Sequence, residues 1–448
     1  MPQTKKTDFS QGSVRKLIMA QALPLTMAQL VQLLYNIMDR IYIGHLEDVG
    51  DLALTGLGIT FPVIVIIAAF TNLYGSGGAT LFSLARGKGD TDEAEGLLGN
   101  VFSLLLGTSA VLFALCYGFR RPILFLFGAS EQSWYYADQY LRIYLLGTAF
   151  SMITTGMNGF INAQGFPKTG MLTTVIGAVI NAILDPIFIF GFHMGVRGAA
   201  VATVISQAIS AIWVIRFLTG KQAVIPLRRG RLAVKLPRLK KIVTLGFPGF
   251  VMQGTNSLVQ IICNNQLQAY GGDLYVGIMT VLNSVREMVS LPISGLTHGS
   301  QPILGFNYGA KRNDRAKEAI RFTAILGTAY LMAAWIAVML LPRTLMGIFS
   351  EDAETISQGA KMLGIYFFGF VFMAFQFSGQ TTFQALGKAK HAIFFSLLRK
   401  VIIVVPLTLL LPDLGFGVEG VFLAEPISNL IGGLAAFITM WITVYRKL

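Results

Sequence analysis

Two acidic residues stand where an apolar chain has least reason to carry them. Asp39 ends the run Tyr35-Asn36-Ile37-Met38-Asp39, near the close of the first apolar segment. Asp185 lies in Asn181-Ala182-Ile183-Leu184-Asp185-Pro186, inside the fifth. A carboxylate at the centre of a membrane helix costs roughly 2.5–3.5 kcal/mol on insertion scales, so it marks a functional site before it marks packing. The bland alternative is a buried hydrogen-bond cluster. Tyr35 and Asp39 are four residues apart, as are Asn181 and Asp185, so each pair shares one helix face. Thr203 follows in the next helix, past a short glycine-bearing turn. Asp39, Asn181, Asp185 and Thr203 can therefore converge. Two carboxylates with two neutral oxygens suit Na⁺, and the same carboxylates can instead share a proton. Pro186 removes a backbone donor beside Asp185, which predicts a kink that frees the Ala182 carbonyl, and Pro24 does the same in the first segment.

Other polar residues interrupt the later segments. Arg286 and Glu287 are adjacent in the eighth, Arg399-Lys400 begins the eleventh, and Glu425-Pro426 sits in the twelfth. Buried charges are generally paired, so a structural ion-pair network is expected, with Glu425 or Glu287 joined to Arg399. The sharper reading makes Glu287 or Glu425 a site for cationic substrates. Nothing resembles a soluble enzyme. His45, His193, His298 and His391 are scattered, no Cys-x-x-Cys or His-x-x-x-His occurs, and no glycine-rich loop has phosphate-binding spacing. We expect no enzymatic activity, no bound cofactor and energy drawn from an ion gradient. Cys116 and Cys263 read as small core residues.

The elements that position these residues are membrane helices. Of 448 residues, 54% are hydrophobic and 13% charged, against about 25% charged in a soluble protein. Twelve apolar segments fall near 15–43, 53–80, 97–119, 134–158, 168–192, 196–218, 239–267, 275–302, 319–341, 355–382, 390–411 and 417–444. The polar start, Met1–Gly12, is too short and too charged to read as a cleaved leader. Basic residues crowd alternate loops: Lys5, Lys6, Arg15 and Lys16, Arg86 and Lys88, the run from Arg216 to Lys241, Lys311 to Arg321, and Arg446-Lys447. The opposite loops hold Glu47, Asp48, Asp51, Glu131, Asp273, Glu351, Asp352 and Asp413. That asymmetry puts both termini in the cytoplasm of a multi-pass protein of the cell inner membrane. The net charge of +13 is thus topogenic and implies no nucleic acid. Arg228-Arg229-Gly230-Arg231 reads as a charge run at the lipid surface.

The chain also repeats. At a shift of 222 residues, Arg142-Ile-Tyr144 meets Gly364-Ile-Tyr366, Ala163-Gln-Gly165 meets Ala385-Leu-Gly387, and Gly195-Val-Arg-Gly198 meets Gly417-Val-Glu-Gly420. With two more residues of offset, Pro24 meets Pro248. The expected domains are a lobe at 1–218, a basic cytoplasmic linker at 219–238 and a second lobe at 239–448. Six helices per half is an even number, so both halves insert the same way up, with a cavity between them near the midplane. Position 39 corresponds to Cys263 and position 185 to Leu407, so neither acid has a mirror partner.

These residues carry a resemblance. Pro24 with Met38-Asp39-Arg-Ile-Tyr-Ile-Gly44, Asn162-Ala-Gln-Gly165, Asn181 through Pro186, Gly195-Val-Arg-Gly198 through Thr203, and Gly417-Val-Glu-Gly420 with Pro426-Ile-Ser make the whole chain resemble a MATE (multidrug and toxic compound extrusion) transporter of the DinF-type branch. The resemblance implies an all-α bundle of twelve transmembrane helices in two pseudo-symmetric lobes. It further implies alternating access and export of cationic small molecules against H⁺ or Na⁺, by a protein expected to be monomeric in the bilayer. The roles of the N-lobe coupling network would fall on Asp39, Asn181, Asp185 and Thr203, with Tyr35 beside them, and gating bends on Pro24 and Pro186. Where other members carry carboxylates on helices 7 and 10, this chain has Asn264, Asn265, Gln376 and Gln380. Two rivals follow. A lipid-linked oligosaccharide flippase of the same superfamily would need several cavity cations, for which only Arg286 and Arg399 are candidates. A receptor or scaffold without transport would need neither the repeat nor the paired acids.

Overall fold

The computed structural model describes residues 7–44, 46, 50–349 and 352–448. Lys5, Lys6, His45, Glu47, Asp48 and Glu351 lie outside them. The described chain is helical: α1 (Val14–Gly44), α2 (Gly50–Lys88), α3 (Thr91–Gly118), α4 (Arg120–Leu126), α5 (Glu131–Leu146), α6 (Thr148–Ala163), α7 (Pro167–Pro186), α8 (Val196–Thr219), α9 (Leu236–Gly309), α10 (Asn313–Leu340), α11 (Pro342–Gly347), α12 (Ala353–Phe367), α13 (Met373–Ala385), α14 (Ala389–Leu397), α15 (Val405–Leu411) and α16 (Gly417–Thr443). Seven runs are each long and apolar enough to cross a bilayer, and one of them, Ala389–Lys447, is long enough for two. The pair α12 and α13, bent by 43°, makes another. The pair α5 and α6, broken at Gly147, and the two arms of α9 complete the twelve. Those two arms part at Gly272, whose φ of 69° no helix interior adopts.

Local chemistry explains the ends. Asp90 caps α3 by accepting from the Glu93 amide at 3.0 Å, and Ser130 with Ser133 forms a reciprocal box at the start of α5. Asp352 caps α12, accepting from the Thr355 amide and hydroxyl at 2.8 and 2.6 Å. Those two donors hold its carboxyl below the usual carboxylate range.

The 222-residue repeat reappears in the backbone. Gly195 and Gly417 share φ/ψ of 54°/−132° and 51°/−134°. Positive φ also recurs at Gly165 and Gly387, His193 and Gly415, and Gly89 and Lys311, each pair at the same spacing. Packing repeats with it. A Cβ on Gly198 would strike the Phe188 carbonyl carbon at 2.7 Å, and one on Gly420 the Leu411 carbonyl carbon at 2.8 Å. Each glycine lets its helix close onto the span before it.

Two compact units emerge. The first holds Leu23–Phe250 together with the chain up to Phe9; the second holds Ser10–Ala22 and Val251–Leu448. Ser10–Ala22 and Leu236–Phe250 thus go with the half opposite to the one in which the sequence order puts them. The divisions fall two residues before Pro24 and two after Pro248, where a missing N–H weakens the helix ladder. Close contacts lock each exchanged piece. Gly246 lies against the Leu73 carbonyl in the first unit, and Gly299 against Ala22 in the second. In the first unit α2 packs on α3, α5 and α6, and α7 on α8, around Phe82, Leu97, Phe160 and Ile161. In the second, α13 packs on α16 and α10 on α13.

The linker corrects one expectation. Its basic run is not a free surface for lipid; it is docked on α3. The Asn100 side chain donates to the Ala233 carbonyl at 2.8 Å and accepts from the Lys235 amide at 3.0 Å. Ser103 donates to the Leu232 carbonyl at 2.7 Å. Arg231 pairs with Asp92 and, at 3.5 Å, with Glu95, which also meets Arg228 at 3.4 Å. Arg238 meets Glu93 at 2.8 Å. The acids cluster in the first turns of α3, where the helix dipole also favours negative charge, so the arginines find partners there.

Candidate functional site

The first unit carries the acid pair. Asp39 lies near the end of α1 and Asp185 in the last turn of α7, and both are buried. Asp39 lies within electrostatic reach of Asp185. The Asn181 amide bridges two neighbours, donating to Asp185 Oδ1 at 3.2 Å and to Thr203 Oγ1 at 3.4 Å. Tyr35 reaches Thr203 with its hydroxyl, and so does Tyr140 from α5. All five residues named in advance as a coupling network therefore meet in one place. Tyr140 joins them unforeseen, with the stacked Tyr144 at 5.8 Å behind it. Tyr144 bore a signal, since its repeat mate is Tyr366.

The α7–α8 junction explains how Asp185 is held. Pro186 has no amide hydrogen, and the chain answers with a wide π turn over Ile187–Gly191 before the Gly195 turn starts α8. The kink is thus an over-wound turn that leaves Asp185 inside the bundle. Its electrostatics are unlike those of Asp138, another buried acid of the same unit. Asp138 is neutralised by Arg120 at 2.7 Å and Arg142 at 2.6 Å. No such ion pair holds Asp185 among the described residues. Its Oδ2, like Asn181 Oδ1, is a buried acceptor with no donor among them. Such an atom costs about 1–3 kcal/mol, more when charged, unless something positive satisfies it. No group of three or more His, Cys, Asp or Glu side chains converges among the described residues. The donor set here is oxygen from two carboxylates, an amide and hydroxyls.

The second unit carries a different cluster. Glu425 Oε1 receives Lys400 Nζ at 3.0 Å, Arg286 Nη1 at 3.2 Å and Arg399 Nη1 at 3.5 Å. Lys400 also reaches Oε2 at 3.2 Å, and Arg399 donates to Asn429 at 2.6 Å. Two expectations need correction. Glu287 is exposed and stands outside this hydrogen-bonded cluster, because its neighbour Arg286 takes the inward face. Glu425, held by three cations, has no charge to spare for a cationic substrate. Lys400 was missed as a cluster member, and with it the count of cavity cations. It and Arg399 lie on a π turn, Leu398–Val404, whose smaller angular step lets consecutive side chains reach one carboxylate. Gln380 is occupied with the Ala392 carbonyl and Ser396, and Asn264 accepts from Gln260.

Two repeated six-helix halves, each with a polar cluster inside an apolar bundle, are the architecture of secondary transporters. The chain belongs to the MATE family: the MatE family model matches residues 24–187 and, a second time, 248–410. It is 27% identical over 439 residues to the multidrug export protein MepA of Staphylococcus haemolyticus, covering 97% of this chain and 94% of that one. MepA of Staphylococcus aureus is 25% identical over 438 residues, with 97% and 95% covered. Among solved structures, the MATE multidrug transporter DinF-BH in complex with rhodamine 6G is 31% identical, with a TM-score of 0.91 over all of both chains. A MATE in complex with MaL6, 22% identical with a TM-score of 0.92 over 99% of this chain and 100% of that one, shares the fold.

Proposed function

We propose that this protein is a multidrug exporter of the cytoplasmic membrane, exchanging organic cations for protons by alternating access. The observation that carries the reading is the pair of buried acceptor oxygens, Asp185 Oδ2 and Asn181 Oδ1, beside a second acid, Asp39. A carboxylate so placed must take up something positive. Asp39 and Asp185 hold the coupling proton between them, and Asn181, Thr203 and Tyr35 orient the acids by hydrogen bonds. Proton and drug favour different conformations of the carrier, so each lowers the affinity for the other, and the proton gradient drives the drug outward. Pro24 and Pro186 supply the bends through which α1 and α7 move. Membership of an export family, the similarity to MepA proteins and the asymmetry of loop charge support the export direction, the drug substrates and cytoplasmic termini.

The test is transport of rhodamine 6G in proteoliposomes under an imposed ΔpH or an imposed ΔpNa. The proposal expects ΔpH alone to drive uptake. Uptake on ΔpNa would make the same oxygens a sodium site, and uptake indifferent to both gradients would end the antiport reading. Asp39→Asn and Asp185→Asn should each abolish most ΔpH-driven transport, and the double variant should lose little more. Additive losses would separate the two acids into different sites.

A further inference from the structure

The cluster in the second unit has more positive charge than it can balance. Three cations surround the single carboxylate of Glu425, an excess of two charges in the interior of a membrane bundle. Buried charge is tolerated when it is compensated. The cluster also borders a cavity of about 140 Å³, with Arg286, Lys400 and Glu425 on one side and Gln260, Asn283 and Tyr366 on the other. The amide wall runs in one direction. Tyr366 donates to Asn283 Oδ1 at 3.2 Å, Asn283 donates to Gln260 Oε1 at 3.2 Å, and Gln260 donates to Asn264 Oδ1 at 3.1 Å. Each amide oxygen in that chain already accepts a hydrogen bond, and each amide nitrogen keeps a second N–H. What the cavity offers is donors and cations.

The repeat sharpens the point. Glu425 stands 222 residues after Thr203, and Tyr366 the same distance after Tyr144, so this cavity occupies the second unit's counterpart of the acid site. The counterparts of Asp39 and Asp185, Cys263 and Leu407, carry no charge and pack beside Val259, Val404 and Ala424. One unit holds acids at its polar centre; the other, at the same place, holds an excess of cations.

We propose that this cavity is a subsite for an oxyanion, the carboxylate of an amphipathic organic substrate. Arg286 is its principal ligand. Its guanidinium spends one Nη1 bond on Glu425, lies with its carbon 5.9 Å from the Tyr366 ring centroid and is the most open of the three cations. Lys400 adds charge from the cavity wall, and Arg399, fixed by Asn429, stands behind it. The volume is below the roughly 300–1,000 Å³ of a whole drug site, so it receives the anionic end of the molecule only. The inference extends the export reading to carboxylate-bearing and zwitterionic substrates, but binding at the subsite is testable without it.

The experiment compares rhodamine 6G, an ethyl ester, with its free acid, which differs by one carboxylate. Binding to the purified full-length protein is read by fluorescence polarisation. The acid should bind about tenfold tighter than the ester, the yield of one good charge-assisted contact. Arg286→Gln should remove that preference while holding ester affinity within about twofold, and Arg286→Lys should restore part of it. Ester binding also reports that each variant is folded; where it is lost, acid preference in Arg286→Lys decides. Equal binding of acid and ester by the wild type overturns the proposal, as does an undiminished preference in Arg286→Gln. Acid binding without ester binding sustains the subsite and counts against cation export.

Discussion

Glu425→Gln removes one charge and exposes how the second unit is held. The carboxylate is buried, and its Oε1 lies 3.0 to 3.5 Å from three cations. Glutamine keeps the shape but leaves Lys400, Arg286 and Arg399 facing one another without a counter-charge. Breaking a buried pair in this way costs about 3–5 kcal/mol. In a unit of this size each kcal/mol moves a melting temperature by about 2–4 °C, so the variant should melt roughly 6–20 °C below wild type. Lys400→Met is the control, because Glu425 then keeps two arginines, and its cost should be about 1 kcal/mol. The double variant Glu425→Gln with Lys400→Met should recover part of the loss, since one uncompensated cation is gone. The assay is the monodisperse fraction left after heating, followed by size-exclusion chromatography of a fluorescent fusion. Melting of Glu425→Gln within about 2 °C of wild type would refute the claim that this carboxylate neutralises the cluster.

Two further outcomes follow from the fold. Pro24→Ala restores a hydrogen bond where the two units divide α1, so the rate of rhodamine 6G transport should fall severalfold while the melting temperature stays within a few degrees; an unchanged rate would remove the hinge. Asn100→Ala leaves the Ala233 carbonyl and Lys235 amide without their partner, at about 1–3 kcal/mol for each group, and should loosen the linker. Trypsin should then cut at Arg228–Arg231 faster than in wild type, and equal cutting rates would show that the ion pairs alone hold the linker.

Much of this arrangement was legible from residue types and spacing. The acids stood out because each costs free energy in an apolar helix, and their i, i+4 partners because helices have a fixed period. The repeat was readable from glycines, since Gly195 and Gly417 adopt a backbone that other residues resist, and Gly198 and Gly420 meet carbonyl carbons where a Cβ would not fit. Lys400 was not legible as a partner of Glu425. Consecutive residues diverge on an ordinary helix, and nothing in Leu398–Val404 announces a π turn. The docking of the linker was hidden for another reason. Charge alone makes Arg228–Arg231 a surface run, and only the tertiary fold brings Asp92 and Glu95 to it. The exchanged pieces of α1 and α9 were equally hidden, because a proline marks a weak point in a helix without saying which unit holds each side.

The central claim is that substrate and proton compete through Asp39 and Asp185. It is tested most directly by the protons released when rhodamine 6G binds to the purified protein in weakly buffered solution. The account predicts net proton release on binding in the wild type, and release reduced to baseline in the Asp39→Asn, Asp185→Asn double variant, with binding of rhodamine 6G itself retained. Binding without proton release in the wild type, or release undiminished in the double variant, would contradict it.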